Sequence, residues 1–162
     1  PIMPSRCSPV GWSCRRSVTV EQVCIAPGRT SLAKDEFIVE FHLPKPAARS
    51  ADAYLRFIPR TEMDIAVVGA GVCMTLDAGG AITAARVALG AVAPTALLVA
   101  DCTTAIIGSR LDEHALARLD LAARAACKPI DDKRGTIDFR IKVAGVLARR
   151  AAIIAHKRAG AR

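Results

Sequence analysis

Ala66-Val-Val-Gly-Ala-Gly-Val-Cys-Met-Thr-Leu76 and Ala81-Ile-Thr-Ala-Ala-Arg-Val-Ala-Leu89 are two apolar stretches separated by the turn-forming residues Asp77-Ala-Gly-Gly80. Each stretch has the length of a β-strand, and the Asp and Gly residues between them favour a tight turn. The sequence therefore predicts a β-hairpin near the centre of the chain.

Shorter extended segments precede this hairpin, and turn residues separate them. The predicted order is strand Ser17–Val23, turn Ala26–Arg29, strand Glu36–Leu43 closed by Pro44, a surface connector over 45–52, strand Tyr54–Ile58, and a tight turn or single helical turn over Arg60–Ile65. Alternation of apolar and polar residues is the reason for assigning strands here.

After the hairpin the apolar residues recur at helical spacing. This pattern predicts helices over Thr95–Ile107, Asp112–Ala126 and Thr136–His156, with Asp112 as the N-cap of the second helix and Gly108 closing the first. Strands followed by helices predict an α+β fold, in which an antiparallel sheet of three to four strands has three helices packed on one face.

The composition is that of a globular protein. The chain has 162 residues, of which 52% are apolar, 23% charged and 4% aromatic, so one domain with a hydrophobic core is expected rather than disorder. The longest uncharged run, Val87–Ala100, has about fourteen residues and contains Pro94, too short to cross a bilayer. The sequence thus predicts no membrane span, and with no secretion signal recognisable at the N-terminus we expect a cytoplasmic protein.

The net charge of +8 is concentrated near the C-terminus, where residues 128–162 hold ten Lys or Arg against three acids. Basic residues on the last predicted helix alternate with apolar ones: Arg140, Lys142, Arg149, Arg150, Lys157 and Arg158. A solvated or subunit-facing helix face is the favoured interpretation. A nucleic-acid surface is the alternative, and we predict no nucleic-acid partner because aromatics are few and no recognition motif is present.

Cysteines and histidines show no metal-site spacing. The six cysteines contain no CxxC pair, and the three histidines lie far apart without an HExxH frame. We therefore predict free thiols in a reducing compartment, histidines at the surface or at strand ends, and no metal ligands.

The segment Asp64–Met74 opens like a dinucleotide-binding fingerprint, because an apolar strand runs into Gly69-Ala-Gly71. Met74 stands where the third glycine belongs, and a turn into another strand follows instead of a helix. The favoured interpretation is that Gly69 and Gly71 thin a strand where something packs closely.

Five stretches in order, over about 18–159, carry a family resemblance: 26–44, 54–67, 84–94, 131–140 and 147–151. Ala26-Pro-Gly-Arg-Thr with Asp35-Glu36-Phe-Ile is similar to a GPGKT…DE-hydrophobic pattern. Ala84-Ala-Arg-Val-Ala-Leu-Gly-Ala-Val-Ala-Pro94 is similar to ARIALGGVAP, and Asp131–Arg140 to D-x-RG-S-x-x-YR. The chain thus resembles the C-terminal domain of the FAD-binding (medium) subunit of molybdenum hydroxylases, the family of aerobic carbon monoxide dehydrogenase and xanthine dehydrogenase.

The resemblance implies a role within a multi-subunit oxidoreductase. A molybdopterin-binding large subunit oxidises the substrate, an iron–sulfur small subunit with two [2Fe–2S] clusters relays electrons, and FAD passes them to an acceptor. The family holds its FAD mainly through an N-terminal FAD-binding domain, and nothing before Val18 resembles that domain. Residues 1–17 are accordingly expected to be an extension or remnant, 18–162 the C-terminal domain, and the isolated chain inactive and a weak FAD binder at best.

The resemblance also assigns site residues. It implies that Phe37 and Ile38 touch the flavin, that Arg56 contacts the cofactor, and that the loop Arg60–Asp64 lies near the isoalloxazine ring; no catalytic residue is implied. Phe37 and Ile38 could instead belong to a core.

Further alternatives remain open from the residues themselves. Arg56 and Arg60 could pair with Glu62 and Asp64 in a surface network. Asp132, Arg134 and Arg140 are expected to fix the start of the last helix or an interface. A non-enzymatic subunit-assembly domain without flavin is the alternative function.

Departures from the family pattern concern local hydrogen bonding. Cys24 and Ala26 replace an aromatic residue and a glycine, and Thr136 and Phe139 replace Ser and Tyr.

Overall fold

The computed structural model describes residues 6–7, 14–60 and 65–161. The chain forms two compact units, Pro1–Glu40 and Phe41–Arg162. Its strands are β1 (Arg6–Cys7), β2 (Cys14–Arg15), β3 (Cys24–Ala26), β4 (Arg29–Thr30), β5 (Ser50–Phe57), β6 (Val68–Leu76), β7 (Ile82–Gly90) and β8 (Leu97–Leu98). Its helices are α1 (Val20–Val23), α2 (Ala100–Ile106), α3 (Glu113–Ala126) and α4 (Ile137–Gly160).

The second unit contains one four-stranded antiparallel sheet with strand order β5-β6-β7-β8. The predicted hairpin is confirmed as β6 and β7. At its turn the Asp77 carboxylate accepts a hydrogen bond from the Ala81 amide (2.8 Å), and Gly80 has a φ of +84°, which favours glycine because it has no Cβ.

Alternation along the strands gives the sheet one buried and one open face. The side chains on the buried face are small or aliphatic: Ala51, Ala53, Val68, Ala70, Val72, Met74, Val87 and Leu89. Helix α4 packs on β5 and β6, α2 packs on β7, and α3 packs on both helices. The predicted α+β fold, with three helices on one face of an antiparallel sheet, is confirmed.

The helix ends follow the sequence signals. Asp112 caps α3 by accepting from the Ala115 amide (2.8 Å), and Thr136 caps α4 by accepting from the Phe139 amide (3.3 Å). Threonine in place of serine therefore keeps the capping hydroxyl. Gly108, with a φ of +76°, follows α2 as predicted.

Helices α3 and α4 approach each other closely at Gly145. A Cβ at this position would contact the carboxylate of Asp120, and Nε of Arg124 at 2.9 Å. These two side chains form an ion pair with Nε and Oδ2 2.8 Å apart. Glycine at this position lets the two helices pack without displacing that pair.

Two strands predicted in the first forty-three residues are wrong. Ser17–Val23 contains the short helix α1, in which the Gln22 amide bonds to the Thr19 carbonyl (3.0 Å). Glu36–Leu43 carries no strand assignment, because a strand requires a neighbouring strand for its backbone and none of the described segments pairs with it. The predicted turn over Ala26–Arg29 is confirmed as the β3–β4 connection, with Gly28 at a φ of +67°.

Two boundaries in the second unit also differ from prediction. β5 starts at Ser50 rather than Tyr54, so it takes in the end of the expected connector. The helix expected from Thr95 begins at Ala100, because Leu97 and Leu98 pair with Leu89 and Ala88 as β8. The turn expected at Arg60–Ile65 falls mostly on 61–64, outside the described residues.

No helix in the described part of the chain is long and apolar enough to cross a bilayer.

Candidate functional site

The residues predicted to form the site fall in both units. Phe37 and Ile38 belong to the first unit, and Arg56 and Arg60 belong to the second. Asp64 lies outside the described residues, as does Glu62, so the predicted Arg–carboxylate network at this loop has no structural account. Arg60 is exposed and follows the end of β5 by three residues.

Phe37 and Ile38 are solvent-exposed, with 79% and 46% of their surfaces accessible. The alternative that they form part of a core is therefore wrong for this chain. Val39 is also exposed, at 60%. Three consecutive exposed apolar residues form a surface that would favour contact with an apolar ligand or partner.

Glu36, directly before these residues, is held by Arg16. Nε of Arg16 donates to Oε1 of Glu36 and Nη2 donates to Oε2, each at 2.6 Å. Nη2 of Arg16 also donates to the Ser31 carbonyl (3.0 Å), and the Ala33 amide donates to Oε2 of Glu36 (2.7 Å). The Arg16 guanidinium and then the Ala33 amide lower the pKa of Glu36 to about 2, so its carboxylate is ionised at neutral pH.

The open face of the sheet carries Asp52, Tyr54 and Arg56 from β5. Tyr54 is paired with Gly71 and Arg56 with Gly69. The ring of Tyr54 lies over β6, where a Cβ added to Gly69 would be 2.7 Å from the Tyr54 hydroxyl oxygen. The two glycines of the GxG stretch thus allow an aromatic ring to lie on a central strand, which confirms the structural interpretation over a dinucleotide site.

Strands β6 and β7 add both short side chains and an arginine to this face. Cys73, Ala84 and Ala88 are exposed, and so is Arg86, which pairs in register with Cys73. Arg56 is exposed on the same face, so the open face carries two arginines and an aromatic ring.

Arg140 is a buried cation, only 4% exposed, that ties α4 to the sheet. Its Nη1 donates to the Val67 carbonyl (2.8 Å), its Nε to the Gly135 carbonyl (3.3 Å) and its Nη2 to Oδ1 of Asp132 (2.6 Å). The Arg134 amide, followed by the Arg140 side chain, lowers the pKa of Asp132. The prediction that these residues fix the start of the last helix is confirmed.

The stretch Asp131–Arg140 also packs closely against the end of β5 and the start of β6. A Cβ on Gly135 would lie 3.0 Å from the Phe139 ring and 3.5 Å from Val67. Phe139 in turn packs edge-to-face on Phe57, with ring centroids 5.7 Å apart. The stretch therefore anchors the end of β5 and the start of β6, where the Val67 amide bonds to the Phe57 carbonyl (2.9 Å).

The basic residues of α4 do not form a single free face. Arg140 is buried, so the prediction of a solvated or subunit-facing face is wrong for it. Arg149 pairs with Glu113 (2.9 Å) and Arg158 donates to the Asp52 carbonyl on β5 (2.8 Å). Arg150 and Lys157 are exposed.

Four cysteines have described side chains, and all are free thiols: Cys24, Cys73, Cys102 and Cys127. Burial raises the pKa of Cys102 to about 12 and that of Cys127 to about 11, so both are neutral thiols at pH 7. Across the described ranges no group of three or more His, Cys, Asp or Glu side chains could hold a metal ion. His156 contacts the Gly80 carbonyl (3.2 Å) and His114 contacts Arg118 (2.6 Å).

Sequence reasoning did not identify Arg16 or Tyr54 as parts of these surfaces. Arg16 lies in the stretch predicted to be an extension, and its pairing with Glu36 spans twenty residues. For Tyr54 a signal was present, because a glycine pair in an apolar strand indicates that a bulky group lies close to the backbone.

Comparison with protein families identifies the second unit. The model of the CO dehydrogenase flavoprotein C-terminal domain matches residues 53–155. The carbon monoxide dehydrogenase medium chain of Hydrogenophaga pseudoflava is 31% identical over 137 residues, which cover 85% of this chain and 47% of that protein. A putative xanthine dehydrogenase FAD-binding subunit of Escherichia coli is 27% identical over 127 residues, covering 78% of this chain and 43% of that protein.

A solved structure gives the same result. Reconstituted CO dehydrogenase from Oligotropha carboxidovorans superposes with a TM-score of 0.83 at 29% identity, covering 90% of this chain and 50% of that one. The chain spans about half the length of the curated relatives it matches.

Proposed function

Because the chain belongs to the CO dehydrogenase flavoprotein C-terminal domain family, we propose that it forms the C-terminal part of the FAD-binding subunit of a molybdenum-containing hydroxylase. The family match over 53–155, together with relatives named as medium chains and FAD-binding subunits, carries this proposal. The proposed partners are a molybdopterin-binding large subunit, an iron–sulfur small subunit carrying [2Fe–2S] clusters, and an N-terminal FAD-binding domain. We further propose that this complex works in the cytoplasm.

The exposure of the residues that the family resemblance implies supports a flavin-facing role for each of them. Phe37 and Ile38 offer exposed apolar contacts, and Arg56 offers an exposed cation. The buried Ser31 hydroxyl has no hydrogen-bond partner within the described part of the chain. No glycine-rich phosphate loop occurs in the described ranges, so the pyrophosphate would be bound by the partner domain.

The chemistry that FAD supplies when bound is acceptance of electrons from the iron–sulfur clusters and their transfer to an acceptor. This chain would contribute position and electrostatics. In the proposal, Phe37 and Ile38 cover the ring and exclude water, and Arg56 places positive charge where negative charge develops on reduction. The family resemblance implies that Arg60 and Asp64 would also lie near the ring.

Reconstitution tests this function. We expect FAD fluorescence to stay unchanged when the chain is added alone, and to change when the chain is mixed with its N-terminal FAD-binding domain and FAD. The domain with FAD but without the chain serves as the reference. Unchanged fluorescence on adding the chain to that mixture would contradict the proposal and favour an assembly domain without flavin.

Arg56→Gln sharpens the same experiment. Loss of a cation beside the reduced flavin should make the reduction potential of the reconstituted flavin more negative by about 30 mV, the two-electron equivalent of ~1.4 kcal/mol. Arg150→Gln removes an exposed charge from α4 and should leave the potential unchanged. Equal potentials for the two variants would remove Arg56 from the site.

A further inference from the structure

The exposed apolar residues Phe37 and Ile38 directly follow Glu36, a residue that hydrogen bonds hold in place. Glu36 receives three hydrogen bonds, two from the Arg16 guanidinium and one from the Ala33 amide. The Glu36 amide itself donates to the Ala33 carbonyl (3.1 Å). The backbone at Glu36 is thus held from both its side chain and its main chain.

Arg16 holds a second part of the same loop. Its Nη2 also donates to the carbonyl of Ser31 (3.0 Å), and the Ser31 amide donates to the Val23 carbonyl (2.9 Å). One guanidinium therefore connects the end of the β3–β4 hairpin to the residue that precedes Phe37. Nη1 of Arg15 lies 4.0 Å from Oε1 of Glu40, the residue that follows Val39.

The geometry of the Arg16–Glu36 pair suits it to orienting the two chain segments that it joins more than to stabilising the fold. Exposed ion pairs usually add little to folding free energy, whereas a bidentate Arg–carboxylate pair fixes the angle and distance between two segments. Burial of a core does not hold this stretch, since Phe37 is 79% exposed. The Arg16–Glu36 pair is therefore a polar contact that can orient the apolar side chains that follow it.

We propose that Arg16 and Glu36 are positioning residues, whose ion pair holds the backbone so that Phe37 and Ile38 meet the flavin ring at a fixed place. This inference rests on the proposed function. It also gives a role to Arg16, which the sequence places in a stretch without a counterpart in the family. Neither residue touches the flavin in this scheme, and both act through the residues that follow Glu36.

The test uses the flavin-loaded complex with Glu36→Gln, Arg16→Gln and the charge-swapped double variant Arg16→Glu/Glu36→Arg. Lys34→Gln is the matched control, because Lys34 is an exposed charge in the same loop. Amide hydrogen exchange over 31–40 measures whether the Arg16–Glu36 pair holds the loop. Flavin reoxidation by the acceptor measures whether the contacts to the ring are correctly placed.

In the two single variants we expect exchange at 33–38 to rise at least tenfold and reoxidation to slow about tenfold, because small misplacements of contacting groups have large kinetic effects. Thermal unfolding should be unchanged, and the double variant should recover part of both losses. Lys34→Gln should match the wild type in both measurements.

Three outcomes would overturn the proposal in distinguishable ways. Unchanged exchange in Glu36→Gln means that the pair does not hold the loop. Raised exchange with unchanged reoxidation means that the pair is local structure with no bearing on the flavin. A wild-type complex that contains no flavin overturns the proposed function and the positioning role with it. This holds even where the exchange data show that the Arg16–Glu36 pair holds the loop.

Discussion

Arg140→Met is expected to lower the free energy of unfolding by about 2–4 kcal/mol. Methionine keeps most of the apolar stem but removes all donors, which leaves the buried Val67 carbonyl without its hydrogen bond and Asp132 without its closest cation. Urea titration followed by helical circular dichroism measures the change, since α2, α3 and α4 all lie in the second unit.

Two further variants make the Arg140 experiment specific. Arg140→Lys keeps the charge but cannot reach three acceptors with one ammonium group, so it should restore less than half of the lost free energy. Arg150→Met removes an exposed arginine from the same helix and should stay within about 0.5 kcal/mol of the wild type. Equal effects at positions 140 and 150 would contradict the buried network.

Leu119→Ala is expected to lower the free energy of unfolding by about 3 kcal/mol. Leu119 is fully buried in α3, the helix that packs on both α2 and α4. Its truncation loses apolar transfer free energy and leaves a cavity between three helices. The same urea titration reports the change.

Leu121 provides a matched control on the same helix. It is 67% exposed, so Leu121→Ala removes the same atoms without emptying a core site and should change the free energy by less than about 0.5 kcal/mol. If the two leucine variants lost equal stability, α3 would not bury the face assigned to it.

The sheet and helices of the second unit were largely predictable because their signals are local. The hairpin follows from two apolar runs around Asp77–Gly80, and α3 and α4 follow from their periodicity, with Asp112 predicted as the N-cap of α3. β8 was missed because two residues, Leu97 and Leu98, become a strand only through pairing with β7.

The first forty-three residues show where a local sequence pattern does not predict the structure. Glu36–Leu43 alternates like a strand, but alternation describes the side-chain faces and does not supply a paired neighbour. The Arg16–Glu36 pair escaped prediction for a related reason, since nothing near Arg16 in sequence indicates a partner twenty residues away.

The family resemblance and the chemistry of single residues predicted different parts of the candidate site. The resemblance gave Phe37, Ile38, Arg56, Arg60 and Asp64, and their contact with flavin stays a prediction. Physical reasoning on single residues did better where the cause is steric, as for Gly69 under the Tyr54 ring. Arg140 was expected both on a basic helix face and at the start of the last helix; only the second expectation is confirmed, and its burial depends on acceptors from Val67 and Asp132 that the fold brings together.

Isolation of the native protein from its source cells tests whether the chain belongs to a flavin-containing molybdenum hydroxylase. Mass spectrometry identifies the proteins that co-purify with this chain, and a visible absorption spectrum detects the flavin. We predict that a molybdopterin protein, an iron–sulfur protein and equimolar FAD co-purify with the chain. A colourless chain that purifies without these partners would contradict it.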